Sequence, residues 1–346
     1  MNRILHKPKR LNKGDKIAII SPSGCAATLF PHRVERGVAA LEKLGFAVEI
    51  YPTVSKNYHG SAGTPEERAA DIHRAFEDSS VAAILAATGG ISLNEVLPLL
   101  DYGLIKKNPK IFCGFSDNTQ LHCALATQAN LVSFYGPCLI HQFGEYPDPL
   151  PYSVEGFMST LMGEATQAIV PSSHWTDEIL NWFEKVDLTR PRNLYSNTDA
   201  HLWLHAGQCK APIIAGCLHS LLQLKGTKYA PDYNNKIMAI DFSEGIENFA
   251  KGFPIQYVAC QIADLALAGV FSQISGLILG RPFGYDEAER KEFIEMINRQ
   301  LAGYDFPILA NVNIGHTDPI ITLPQYVLCE LNSGQNSFKL LEQGTM

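Results

Sequence analysis

Long apolar runs, paired-cysteine motifs, excess positive charge and tryptophan are all scarce in this chain. No apolar stretch reaches the ~18 residues of a membrane-spanning helix, and the N-terminal residues carry no signal-peptide-like apolar region. A cytoplasmic protein with no membrane partner is therefore expected. The eight cysteines (Cys25, Cys113, Cys123, Cys138, Cys209, Cys217, Cys260 and Cys329) include no C-x-x-C pair and fall in apolar contexts. That excludes a zinc-ribbon spacing and a disulfide frame, and leaves buried free thiols in a reducing compartment. A formal net charge of −7 argues against a nucleic-acid polymer as partner, because such surfaces gather Lys and Arg to neutralise phosphates. The single basic cluster, Lys7-Pro8-Lys9-Arg10, reads as a solvated tail. Internal repeats and low-complexity tracts are absent.

What is present is ample apolar content, 46% of 346 residues, enough for two cores. In the first half, short β-branched or apolar runs (16–21, 47–51, 81–86, 110–114 and 131–134) alternate with segments of helical period. Thr64-Pro65-Glu66-Glu67 marks one helix start, with threonine as cap, proline in the first turn and glutamate placed to complete a capping box. Such alternation predicts a mostly parallel sheet covered on both faces, with ligands at the carboxyl ends of its strands. The stretch Tyr146-Pro147-Asp148-Pro149-Leu150-Pro151 suits neither helix nor strand and marks a boundary. Residues 1–150 are thus expected to form one α/β domain, 151–200 a linker with a short helix (154–162) and an irregular loop, and 201–346 a second α/β domain. The second domain reads as strands at 211–215, 237–242, 274–279 and 308–312, with helices near 219–224, 257–268 and 286–301.

Two segments carry the chemistry. Ile111-Phe112-Cys113-Gly114-Phe115-Ser116-Asp117-Asn118 is an apolar run stopping at a serine. A strand that turns sharply into a helix holds such a hydroxyl at the rim of a sheet, beside the N–H groups of the helix start. The usual hydrolase elbow is G-x-S-x-G; here Asn118 replaces the second glycine, and a serine after a strand is also a common helix cap. About 200 residues downstream lies Asn313-Ile314-Gly315-His316-Thr317-Asp318-Pro319, which puts an imidazole on a turn after a strand.

Together with Lys13-Gly14-Asp15-Lys16-Ile17, Ser21-Pro22-Ser23, Thr88-Gly89-Gly90, Leu97-Pro98-Leu99-Leu100-Asp101-Tyr102, Phe134-Tyr135-Gly136-Pro137, the stretch 216–226 and Ser275-Gly276-Leu277-Ile278-Leu279-Gly280, these segments resemble the LD-carboxypeptidase family of serine peptidases. The Trp175-Thr176-Asp177-Glu178 insertion and Gly284-Tyr285-Asp286 look most like its microcin-C-immunity branch. The resemblance implies a flavodoxin-like N-terminal domain, a C-terminal α/β domain of swivelling or barrel-like form, no metal, no organic cofactor and a homodimer. It also implies cleavage of an amide bond near the carboxyl end of a small peptide-like substrate, either an aminoacyl-nucleotide of the microcin C type or a murein tetrapeptide.

Roles follow from the same resemblance. Ser116 is the expected nucleophile and needs a base, for which His316 is the candidate. Gly90 and the residue after the serine, Asp117, are expected to supply oxyanion N–H groups. Family members carry a glutamate where this chain has Asp241, one methylene shorter; Glu244, three residues on, is the competing acid, and a weakened, binding-only protein is the third reading. Trp175, Trp182 and Trp203 offer faces for a nucleobase or side chain, or else anchors for the loop. His201 and His205 have metal-like spacing, but on a strand they lie ~13 Å apart, so no metal site is expected there.

Overall fold

The computed structural model describes residues 5–163, 166–245 and 249–346. Its first sheet has six strands in the order Leu323–Pro324, Phe134–Tyr135, Ile111–Gly114, Val81–Ala86, Lys16–Ile20 and Ala47–Ile50. The last five run parallel and are joined through helices, as the expected flavodoxin-like order requires. Every residue of Ile111–Gly114 is buried, which is why these strands read as continuous apolar runs rather than alternating ones. The helix Pro65–Glu77 starts with the expected capping box between Thr64 and Glu67.

The strand Leu323–Pro324, from near the other end of the chain, adds antiparallel to the sheet edge at Tyr135 and Phe134. The helix Pro151–Met162 puts Phe157 and Leu161 into the apolar cluster on one face of this sheet, with Ile17, Ile19 and Leu85. Sequence periodicity gives no warning of the first of these attachments, since a two-residue strand has no period to read.

The second sheet has eight strands in the order Gln167–Ala168, Ser337–Leu340, Leu328–Asn332, Gln208–Cys217, Ile237–Asp241, Gly276–Gly280, Ile308–Val312 and Leu202–His205. Its four central strands are parallel and its flanks antiparallel. Helices Leu218–Gln223, Ile255–Leu267 and Glu287–Leu301 form the crossovers. The strands at 328–332 and 337–340 were not anticipated; their half-exposed alternation is that of an antiparallel hairpin.

One apolar cluster runs from the other face of the first sheet (Ile20, Ile84, Phe112) into the second (Ile213, Ile240, Leu279). Polar contacts tie the two sheets where it crosses. Cys217 N–H donates to Thr119 Oγ1 at 2.9 Å, and the Gln325 amide bonds both the N–H and the C=O of Ala215. The carboxyl ends of Ile111–Gly114, Ile237–Asp241 and Ile308–Val312 are thereby held toward one another. Among the described residues, no helix is long and apolar enough to cross a membrane.

Candidate active site

Ser116 follows the strand Ile111–Gly114 and an extended Phe115, and it takes up a left-handed conformation with φ +63°. A non-glycine residue there is strained and persists only when its surroundings fix it. Here the Ser116 N–H donates to the Tyr135 hydroxyl at 3.1 Å, and the Ser116 carbonyl accepts from Thr119 Oγ1 at 2.6 Å. Asn118, standing where a hydrolase elbow has glycine, earns its position through its amide: Nδ2 donates to the carbonyls of Phe115 at 2.8 Å and Thr88 at 3.2 Å. It stitches the serine turn to the Thr88-Gly89-Gly90 turn. A Cβ on Gly89 would stand 2.8 Å from Ser116 Cβ, and one on Gly90 2.5 Å from Ser23 Oγ and from Gly24 N. Only glycine lets the two turns approach this closely.

The Asp117 carboxylate is buried and braces the elbow. It accepts from Ser23 Oγ at 2.5 Å, Leu93 N at 3.0 Å and Gln120 Nε2 at 2.8 Å. Burial raises its pKa, and the bonds from Ser23 and Leu93 oppose the rise.

His316 comes from the loop after Ile308–Val312. Its Nε2 lies 2.9 Å from Ser116 Oγ, and its ring packs edge-on against Phe115 with centroids 5.0 Å apart. The two competing acids fall on opposite ring nitrogens. Asp241 Oδ2 is 3.3 Å from Nδ1, whereas Glu244 Oε2 is 3.4 Å from Nε2, the nitrogen that faces the serine. Asp241 is 1% exposed at its side chain and Glu244 34%. Asp241 therefore sits behind the ring, and Glu244 at the mouth of the site. Burial pulls the His316 pKa down, but the charges of Asp241 and then Glu244 outweigh it and raise it to about 9. Tyr135, fully buried, donates its hydroxyl to Asp241 Oδ2.

Among the described residues, one group has metal-ligand character: Cys217, Asp241 and His316, with ligand atoms within 4.8 Å of one another. Burial, and next the Asp241 charge, push the Cys217 thiol well up, which disfavours the thiolate a metal needs. His201 is buried and pulled down to about 4 by desolvation, and it lies just before the strand that carries His205.

The tryptophans go to three places. Trp182 is half-buried; its indole lies under the Arg33 guanidinium at 3.9 Å and 5.4 Å from the His141 ring, which in turn contacts Phe115 at 5.6 Å. It is thus two rings from Ser116. Trp175 is 7% exposed, covered by Arg281 at 4.3 Å and set against Tyr195. Trp203 lies on the sheet-edge strand and donates its indole N–H to Asn336; its contacts are not with Ser116 or His316.

Sequence reasoning gave no role to several residues that shape the site. Arg192 pairs with Glu145 at 2.6 Å and Asp318 at 2.8 Å, while Gln142 donates to the other Asp318 oxygen. Thr176 and Asp318 exchange two backbone hydrogen bonds. Asp187 binds both Arg33 and Arg36. The Asp318 contacts clamp the 176–192 segment onto the loop that carries His316, and Asp187 ties it to the helix Pro31–Lys43. A buried salt bridge between residues more than a hundred positions apart leaves no trace in local sequence pattern.

A serine on a strained strand-to-helix turn, with an imidazole at its hydroxyl and a carboxylate behind the ring, is the geometry of an acyl-transferring hydrolase. Comparison with known proteins gives the same class. Residues 17–136 match the LD-carboxypeptidase N-terminal domain and 210–331 the LD-carboxypeptidase C-terminal domain; the chain belongs to the LD-carboxypeptidase family. It is 30% identical over 335 residues to the microcin C7 self-immunity protein MccF of Escherichia coli, covering 95% of this chain and 94% of that one. The apo structure of MccF superposes with a TM-score of 0.90 over 99% of this chain and 100% of its own, and so does MccF in complex with aspartyl sulfamoyl adenosine. The murein tetrapeptide carboxypeptidase of Pseudomonas aeruginosa is 31% identical over 123 residues, 35% of this chain and 39% of its own.

Proposed function

We propose that this hydrolase cleaves an amide bond near the carboxyl end of a small peptide-like substrate, an aminoacyl-nucleotide of the microcin C type, through an acyl-enzyme on Ser116. The observation that carries the mechanism is the His316 ring standing between Ser116 Oγ on Nε2 and Asp241 on Nδ1. Ser116 Oγ attacks the acyl carbon as its proton passes to Nε2. The carbon–nitrogen bond then breaks, and Nε2 returns the proton to the leaving nitrogen. Water repeats the sequence on the ester, releasing the acid and restoring Ser116. Asp241 orients the ring and stabilises the imidazolium, and the N–H groups of Gly90 and Asp117 receive the oxyanion. The chemistry needs neither metal nor organic cofactor.

The shortened acid is the ground for a binding-only protein, and the close approach of the His316 loop to Asp241 speaks against it. At Gly315 (φ +81°) a Cβ would overlap the Asp241 carboxylate, so the backbone lies near enough for an aspartate to reach. The substrate class is supported by likeness along nearly the whole chain to MccF, a protein solved with aspartyl sulfamoyl adenosine. Trp182 does not add to this support, because the Arg33 guanidinium already covers its indole. Murein tetrapeptide cleavage is the second reading, supported by the likeness to the Pseudomonas enzyme across about a third of the chain. We place the protein in the reducing cytoplasm, in keeping with eight free thiols, and, on the family resemblance, as a homodimer that light scattering would read.

The test is a panel of aspartyl and glutamyl sulfamoyl adenosines against murein tetrapeptide, with products identified by mass spectrometry. Release of free amino acid and sulfamoyl adenosine is expected; loss of D-alanine alone would transfer the reading to murein, and cleavage of neither would overturn both.

A further inference from the structure

The Tyr135 hydroxyl hydrogen-bonds both the serine turn and Asp241. It accepts the Ser116 backbone N–H at 3.1 Å and donates to Asp241 Oδ2. The phenol is fully buried, and it comes from the short strand Phe134–Tyr135, whose neighbour in the sheet is the strand that delivers Ser116. Asp241 Oδ2 is also the oxygen facing His316 Nδ1, at 3.3 Å. The other oxygen, Oδ1, is buried and accepts nothing from the protein. Oδ2 is thus bonded to Tyr135 and stands 3.3 Å from His316 Nδ1, a buried nitrogen that makes no hydrogen bond of its own.

We propose that Tyr135 is a positioning residue for the reaction, its hydroxyl locking Asp241 in the rotamer that meets His316 and, through the Ser116 N–H, holding the nucleophile's strained turn in register with the acid. Three features require it. First, aspartate is one methylene shorter than the acid of the resemblance, so its reach depends more on orientation. Second, a residue at φ +63° needs an acceptor for its N–H, and the helix start supplies only donors. Third, the hydroxyl bridges segments 106 positions apart, so it fixes the two sheets relative to each other at the point of reaction. A phenol serves this better than a carboxamide, because one oxygen donates and accepts at once while the ring fills apolar space.

Tyr135 acts on His316 only through Asp241. With the phenol donating, part of the carboxylate's charge is withdrawn; without it, Asp241 attracts the imidazolium more strongly, and the ring gives up its proton at higher pH. The other titratable groups around this centre are Glu244, Asp318 and His141 on the His316 side, Cys217 beside Asp241, His122 against the phenol ring and Asp117 on the serine turn. Burial pulls His122 down to about 4, and it bonds the Gly114 carbonyl at 2.8 Å, so it stays neutral. Burial pushes Cys217 well up, so its thiol stays protonated. Neither contributes a step near the limb in question.

The inference rests on the reading of Ser116 as nucleophile, so the test uses a probe that reports on each separately. A fluorophosphonate should label wild-type Ser116 and not Ser116→Ala; absence of wild-type labelling would overturn the nucleophile reading itself. With wild type labelled, Tyr135→Phe should react roughly 10- to 100-fold more slowly, in keeping with a lost hydrogen bond to a charged group. The midpoint of its rate-against-pH curve should rise by roughly 0.5–1 unit. A residue needed only for stability would lower the melting temperature and leave that midpoint in place, and this result, or an unchanged rate, would overturn the proposal. Should Tyr135→Phe fail to fold, 3-fluorotyrosine at position 135 keeps the shape and strengthens the donor. Its midpoint should then fall, and an unmoved midpoint would equally overturn the proposal.

Discussion

Gly315 lies so close to Asp241 that no side chain fits between them: a Cβ on the glycine would overlap the carboxylate. The left-handed φ of +81° at Gly315 brings the His316 loop down onto a short acid. Restoring the longer acid should therefore harm the enzyme. Asp241→Glu is expected to lower kcat by at least ~10-fold through crowding and a displaced imidazole, read by steady-state kinetics on the cleaved substrate. A gain in rate would show that the short acid handicaps the native protein.

The two acids should separate cleanly by charge removal. Asp241→Asn leaves the geometry and removes the charge behind Nδ1, for an expected loss of up to ~10⁴-fold in kcat. Glu244→Gln should be mild at its optimum, because Glu244 faces Nε2 from the mouth of the site. The reverse ranking would move the triad acid into the loop.

The pH profile carries its own sign. His316 must be neutral to take the serine proton, so kcat/KM should climb with pH through the His316 pKa, raised to about 9 by Asp241 and Glu244 against the pull of burial. Glu244→Gln removes one of the two raising charges, and its rising limb should move to lower pH. For folding, a pKa above the ordinary 6.5 stabilises the native state fully below about 6.5, and that contribution fades as pH climbs through about 9. Denaturant melts at pH 6 and pH 10 would show it.

Ser116→Ala and His316→Ala should each lower kcat by ~10⁴-fold or more with the fold intact. The double variant should be little worse than either, since the pair works as a unit. Additive losses, measured on contaminant-free protein, would place His316 in a different role.

Arg192 is half-buried against the buried Glu145 and Asp318, and removing it strands two acids. Arg192→Met should destabilise the protein by about 3–5 kcal/mol, seen in equilibrium denaturation. Because the pair clamps the 176–192 segment to the His316 loop, KM for the substrate should rise as well. Unchanged stability would mean the acids find other partners.

Local pattern determined a good deal of this protein. The βα alternation up to Gly114, the capping box at Thr64, the buried thiols and the strand ends at Ser116 and Asp241 are all short-range consequences of side-chain period, capping chemistry and apolar content. The serine and the histidine were named through their likeness to the family's motifs, to which the turn after each strand added a local reason. What the sequence could not decide was which nitrogen of His316 each acid would meet, since Asp241 and Glu244 lie only three residues apart. That was settled by the direction in which the strand Ile237–Asp241 ends and by how near Gly315 comes. The Tyr135 bridge, the Arg192 clamp and the two-residue strand at Leu323 belong to the tertiary structure alone. Each joins parts of the chain over a hundred residues apart, and such pairings depend on how the sheets meet rather than on any periodicity along the backbone.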